Sequence, residues 1–210
     1  MKILAIYPYL TISSSALIID GKVIAASTEE RFDRKKNSTA FPEKSAKWCL
    51  EFAKLRWKDL DMIVVPWNPA LNIQNASKRW TENIRWRGEI LTNVPACLMN
   101  IMQDEAPQEF EMRWSGNILK FLNHHECHSA FSYYQSPFKE ANIVSIDGRG
   151  EQETLTISKA SNKKIEKILS IDFPHSIGLF YSTFTDFLGF KVNSDEWKVM
   201  SLASYSQKKK

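Results

Sequence analysis

No apolar run in this chain of 210 residues approaches the roughly 18 residues that a membrane span needs. Met1-Lys2 leads straight into a short strand-like run, without the apolar stretch and small-residue cleavage site of a secretory signal, so a cytoplasmic location is the expectation. Cysteine is scarce. Cys49, Cys97 and Cys127 are odd in number and widely spaced, which argues against a disulfide framework or a zinc ribbon, and they are read as reduced thiols. Charge of one sign is also scant. The formal net charge is +4, and Lys208, Lys209 and Lys210 supply most of it, so no nucleic-acid footprint is indicated, while anionic small molecules stay open as ligands. Low-complexity tracts are missing as well. What is there, 43% hydrophobic and 25% charged residues, suits a globular chain able to bury a core, of a size for one domain with an inserted lobe.

The chain opens with apolar runs at Lys2 to Ile6, Ala16 to Ile19 and Val23 to Ala26. The last two flank Asp20-Gly21, a strong hairpin signal, so a three-stranded meander is expected. Beyond the charged stretch Glu29 to Lys36, Pro42 marks a helix start, and Ala46, Cys49, Leu50 and Ala53 form one apolar face at helical spacing. Met62 to Val65 reads as a buried strand. From about 67 to 117 no clean period holds, and an irregular helical lobe is expected there. Its basic aromatic stretch, Lys78, Arg79 and Trp80 with Arg85, Trp86 and Arg87, reads as a solvated helix packing on its own core, with a substrate-facing or nucleic-acid surface as the alternative, and is given no role. From Ile118 the pattern sharpens into a strand to Leu122, a helix over 124–134, and a strand Ala141 to Ile146 ending in Asp147-Gly148-Arg149-Gly150. Thr154 to Ile157 and Ile165 to Ile171 complete a second meander. A helix is expected over Pro174 to Phe187 with Gly189 as its stop, and another from Trp197 to Ala203. This loose recurrence of meander and helix predicts mixed α/β layers.

His124 and His128 lie four apart on the expected helix, so both imidazoles project from one face and can share a metal ion, while His125 points elsewhere. An isolated pair at this spacing is also compatible with simple packing. Asp147 follows at the end of the next strand, and Gly148 and Gly150 would let backbone amides approach a phosphate or carboxylate; a plain turn after a strand gives the same pattern. Two imidazoles and one carboxylate with open positions suit ferrous iron, manganese or zinc rather than calcium.

The stretch His124-His125-Glu126-Cys127-His128-Ser129-Ala130, then Ser136-Pro137-Phe138 and Ile146 to Glu151, resembles the amino-terminal domain of the nodulation-type and antibiotic-tailoring O-carbamoyltransferases. Phe173 to Ser182, Leu188 to Ser194 and Glu196 to Met200 are similar to the family's next signatures, as are Asp20-Gly21, Glu29 to Phe32 and Arg34 through Pro42 upstream. The resemblance implies a fold of the acetate and sugar kinase, actin and heat-shock ATPase type. This chain would be a mixed ribonuclease-H-like sheet with flanking helices, the first lobe of a two-lobed fold, with a helical insertion.

The same resemblance implies a transferase. Carbamoyl phosphate and ATP with magnesium would give a carbamoyl adenylate, and the carbamoyl group would pass to a hydroxyl of a sugar-containing or secondary-metabolite acceptor at a metal site. His124, His128 and Asp147 would hold that metal, with ferrous iron the expected ion. Gly148, Arg149, Gly150 and Lys36 would face the anionic substrate. Against the family pattern, Thr11 and Ile12 stand where a His-Asp pair is usual, and Ser201 and Ser206 where glycines are usual, which takes away a candidate base and a close backbone approach. The whole of 1–210 is read as a truncated amino-terminal domain whose activity needs a second polypeptide carrying the missing lobe. The alternatives are a non-catalytic remnant or metal- and nucleotide-binding module, and a stand-alone metal-dependent hydrolase.

Overall fold

The computed structural model describes residues 1–9, 12–71, 88–102 and 118–205. Their contacts divide the chain into two compact units, Met1–His124 and His125–Lys210. The expected lobe over 67–117, with its basic aromatic stretch, lies largely outside the described residues; within it one helix is described, Gly88–Met102.

The first unit begins with β1 (Lys2–Tyr7), β2 (Ser14–Ile19) and β3 (Lys22–Thr28). The β2–β3 turn is made by Asp20 and Gly21 at φ 50° and 79°, the pair of positive φ values that a type I′ hairpin demands. A short helix α1 (Glu30–Asp33) leads to α2 (Glu43–Phe52), then a 3₁₀ turn Trp57–Asp59 and β4 (Met62–Val65). Helix α3 (Gly88–Met102) and β5 (Leu119–Phe121) complete the described elements. The sheet order is β3-β2-β1-β4-β5, with β1, β2 and β3 antiparallel and β4 and β5 added in parallel. That is the expected ribonuclease-H-like mixed sheet.

Alternation decides which face is covered: Leu4 and Ile6 on β1 and Ile63 and Val65 on β4 are fully buried, each such side chain contributing about 1.5–3 kcal/mol by leaving water. Helix α2 buries Ala46, Cys49 and Leu50, as its spacing predicts, while Ala53 falls just past the helix and is half-buried. Its amino terminus is capped from a distance. Glu29, itself buried, accepts hydrogen bonds from the Ser45 and Lys44 amides at 2.8 and 3.2 Å, which pairs donors the helix cannot satisfy internally and sets a negative charge at the positive end of its dipole.

The second unit is built on α4 (His124–Tyr134), β6 (Glu140–Ile146), β7 (Glu153–Ser161) and β8 (Lys164–Asp172), followed by α5 (Ile177–Phe187) and α6 (Glu196–Ala203). The three strands form an antiparallel sheet in the order β6-β7-β8. Strand β7 runs to Ser161, four residues beyond the expected end, because the turn at Asn162-Lys163 holds both residues at positive φ and so keeps the hairpin paired to its tip. Helix α5 starts three residues later than expected: the Ser176 hydroxyl accepts the Leu179 amide at 3.0 Å and caps the helix there. It ends as expected at Gly189, φ 80°. The Gly189 amide donates to Asp186 and the Phe190 amide to Thr185, the two bonds of a Schellman motif. Among the described residues no helix is long and apolar enough to cross a membrane.

Candidate metal centre

Helix α4 sorts its histidines by stripe. His125, Ser129 and Tyr133, four apart, are buried toward the sheet: His125 Nδ1 lies 3.3 Å from Thr156 Oγ1, Ser129 Oγ 3.3 Å from Ser145 Oγ, and Tyr133 donates to the Lys139 carbonyl. His124 and His128 occupy the neighbouring stripe, and the helix itself sets their separation. His128 Nε2 stands 3.6 Å from Asp147 Oδ2. That is too long for a hydrogen bond and close to the roughly 3.0–3.4 Å that separates two ligand atoms each about 2.1 Å from one ion. One ligand atom each from His124, His128 and Asp147 lies within 4.8 Å of the others.

Each donor is oriented by a neighbour. His124 Nδ1 is 3.4 Å from the Pro66 carbonyl; a carbonyl only accepts, so Nδ1 carries the proton of that contact and Nε2 is the lone-pair nitrogen of this tautomer. The ring also packs against Trp67, centroids 5.3 Å apart. Asp147 Oδ1 accepts the Gly148 amide at 2.6 Å, which leaves Oδ2 as the atom turned to His128. The donor types suit a borderline divalent ion, and the His128–Asp147 pair is near ligand spacing.

The Asp147 turn stands on the start of α5. Ser176 Oγ lies 2.8 Å from the Gly148 carbonyl and 3.1 Å from that of Asp147. Gly178 is pressed against the same backbone: a Cβ there would meet Gly148 N at 2.6 Å and the Asp147 carbonyl at 2.7 Å. Sequence reasoning placed Ser176 and Gly178 in a family signature but gave them no task, and contact across some thirty residues leaves no local signal that would have supplied one.

The glycines of the turn differ from expectation. The Gly148 amide is committed to Asp147 and the Gly150 amide donates to the Glu153 carbonyl at 2.8 Å, so in this conformation neither is turned to an anion. Gly150 is a packing requirement, since a Cβ would come 2.8 Å from the His125 ring. Arg149 lays its guanidinium over Phe173, 4.3 Å from the ring centroid, a cation–π contact. Lys36 sits exposed in a turn of the first unit. Ile12 is exposed, and Thr11 and Ser206 lie outside the described residues. Cys49, Cys97 and Cys127 are all free thiols. Burial, with lesser contributions from Glu151 and Glu126, pushes Cys127 up to about 11.

The chain belongs to the carbamoyltransferase N-terminus family, whose model matches residues 2–210. It is 33% identical to an uncharacterized protein of Synechocystis, over 99% of this chain and 35% of the relative. It is 28% identical to the nodulation protein NolNO of Sinorhizobium fredii, over 91% of this chain and 27% of that protein. The chain thus spans about a third of the length of the curated relatives it matches. Among solved structures, YeaZ from Pseudomonas aeruginosa is similar at a TM-score of 0.44 and 11% identity, over 83% of this chain and 69% of that one.

Proposed function

We propose that this chain supplies the metal-holding part of an O-carbamoyltransferase, acting with the polypeptide that makes up the remainder of its relatives. The observation that carries this reading is the convergence of His124, His128 and Asp147 in a chain of this family. In the proposed reaction the acceptor hydroxyl oxygen bonds the carbamoyl carbon of a carbamoyl adenylate, itself made from carbamoyl phosphate, ATP and water with release of phosphate and pyrophosphate. The bond from that carbon to the phosphate oxygen breaks, AMP leaves, and the hydroxyl proton passes to base or solvent. A divalent ion, ferrous iron as the first choice, would supply Lewis-acid stabilisation of the developing charge.

The residues of this chain act by holding and orienting. His124 and His128 present imidazole lone pairs, the first with its tautomer set by Pro66, and Asp147 presents one oxygen. Arg149, carried on the same turn, is proposed as a cation that meets an anionic phosphate, and Lys36 as a second. The acceptor is a hydroxyl-bearing small molecule or glycan.

Anaerobic titration of the purified chain with ferrous iron, and with manganese and zinc in parallel, tests the site. One ion per chain is expected, with affinity falling at least a hundredfold in His128→Ala; undiminished uptake in that variant overturns the assignment. Transfer of labelled carbamoyl from carbamoyl phosphate, assayed with the remainder of the Synechocystis relative added, tests the reaction. ATP-dependent transfer lost in His128→Ala supports it, and transfer indifferent to that substitution refutes it.

A further inference from the structure

Helix α4 has two flanks. His124 and His128 lie on one side of its buried stripe, and Glu126, Ala130 and Tyr134, successively four positions apart, lie on the other. On that second flank, against strands β7 and β8, the second unit holds a pocket of about 300 Å³ lined by these three residues together with Glu153, Ser158 and Lys167. That volume sits at the small end of ligand sites.

The pocket is polar where a helix packed on a sheet ordinarily buries an apolar seam. The Thr156 hydroxyl is engaged by His125 and that of Ser129 by Ser145. Ser158 is only 3% exposed, and among the described residues its hydroxyl has no hydrogen-bond partner. It stands directly opposite Lys167 in the β7–β8 register. Lys167 is paired with Glu153, and that hydrogen bond, with the charges of Glu126 and Asp172 adding to it, holds its ammonium above the usual lysine range. Tyr134 is fixed by its hydroxyl, which donates to the Lys163 carbonyl, and by ring contact with Tyr133, centroids 5.3 Å apart.

These groups select a ligand by charge and by hydrogen bonding. Two carboxylates against one ammonium disfavour an anion, and a simple amine would have to displace Lys167 from Glu153. An apolar molecule would leave the Ser158 hydroxyl and the carboxylates desolvated and unpaired. Each hydroxyl of a polyol both donates and accepts, so one ring can donate to Glu126 and Glu153, accept from Lys167 and pair with Ser158. We propose that this pocket binds one uncharged polyhydroxylated ring, a sugar or a cyclitol, at a site separate from the His124, His128 and Asp147 centre. Tyr134 supplies the apolar wall for the C–H face of the ring. The proposal stands independently of carbamoyl transfer.

The test is amide chemical-shift mapping of the isotope-labelled, metal-free chain titrated with glucose, galactose, mannose, N-acetylglucosamine and myo-inositol. Saturable shifts centred on Thr156, Ser158 and Lys167 are expected with at least one of them. Ala130→Phe, which fills the pocket from α4, and Glu126→Lys, a change at an exposed helix position that leaves the fold intact, are each expected to weaken binding at least about tenfold. No saturable shift with any of the five overturns the proposal, as does binding unchanged in both variants, an equal response to ethylamine, or shifts that centre on His124, His128 and Asp147. Where a sugar binds, equal binding of its methyl glycoside assigns the pocket to a unit carried on a glycan, and loss of binding assigns it to the free sugar. Neither metal uptake nor carbamoyl transfer is among the readouts, so failure here and failure of the proposed reaction are separable.

Discussion

Gly178 lies so close to the turn after β6 that a methyl group on it would stand 2.7 Å from the Asp147 carbonyl. The carboxylate that completes the candidate metal centre is therefore seated on a residue thirty-one positions away. Gly178→Ala must push that backbone aside, at a cost of about 1–3 kcal/mol, and should weaken divalent-metal binding at least tenfold. Gly148 has nothing within 4 Å of its Cβ position, so Gly148→Ala should change stability by less than about 0.5 kcal/mol. Urea unfolding midpoints of the two variants, with metal titration of each, check the contrast.

Glu29 caps a helix that begins fourteen residues later. Glu29→Ala leaves the Lys44 and Ser45 amides without their acceptor and should destabilise the protein by about 1–3 kcal/mol. Glu29→Gln, which keeps one acceptor oxygen, should recover part of that loss in the same unfolding measurement.

Lys163 sits at φ 60° in the β7–β8 turn, where a side chain costs about 1–2 kcal/mol relative to glycine. Lys163→Gly should therefore raise stability by about 0.5–1 kcal/mol after the added backbone entropy of the unfolded chain is subtracted. The Tyr134 hydroxyl donates to the Lys163 carbonyl, a contact the substitution keeps. A lowered melting temperature would contradict this account.

Burial pushes the thiols of Cys49 and Cys127 up to about 11 from an ordinary 9.0. At pH 8 their thiolate fraction, and hence their alkylation rate by iodoacetamide, should be about 100-fold below that of the unfolded chain. The same shift has a consequence for stability. Below pH 9 both states hold the proton; between pH 9 and 11 only the unfolded state releases it, so stability should fall across that window. Replacing both cysteines by alanine should flatten the alkaline limb of a stability profile measured from pH 8 to 11.

Local chemistry was legible in the residues themselves. Asp20-Gly21 dictates its hairpin because two positive φ values suit those side chains and few others. Gly189 stops α5 for a related reason, and the four-residue spacing of His124 and His128 places them on one stripe of any helix that forms there. The family resemblance, carried by several separate motifs in order, matched the family found over 2–210.

What only tertiary structure decided was set by contacts between residues far apart in the chain. The Pro66 carbonyl, fifty-eight positions from His124, selects that ring's tautomer. Gly150 reads as a phosphate-turn glycine in sequence, yet it is glycine beneath the His125 ring. Gly178 and Ser176 hold Asp147 from across the second unit. Strand alternation in β6 and β7 separates two faces, and α4 covers the one that carries Ile143 and Ala160, where His125 and Ser129 meet Thr156 and Ser145. Periodicity and turn chemistry act over a few residues, whereas steric exclusion and hydrogen-bond pairing act wherever the folded chain brings atoms together.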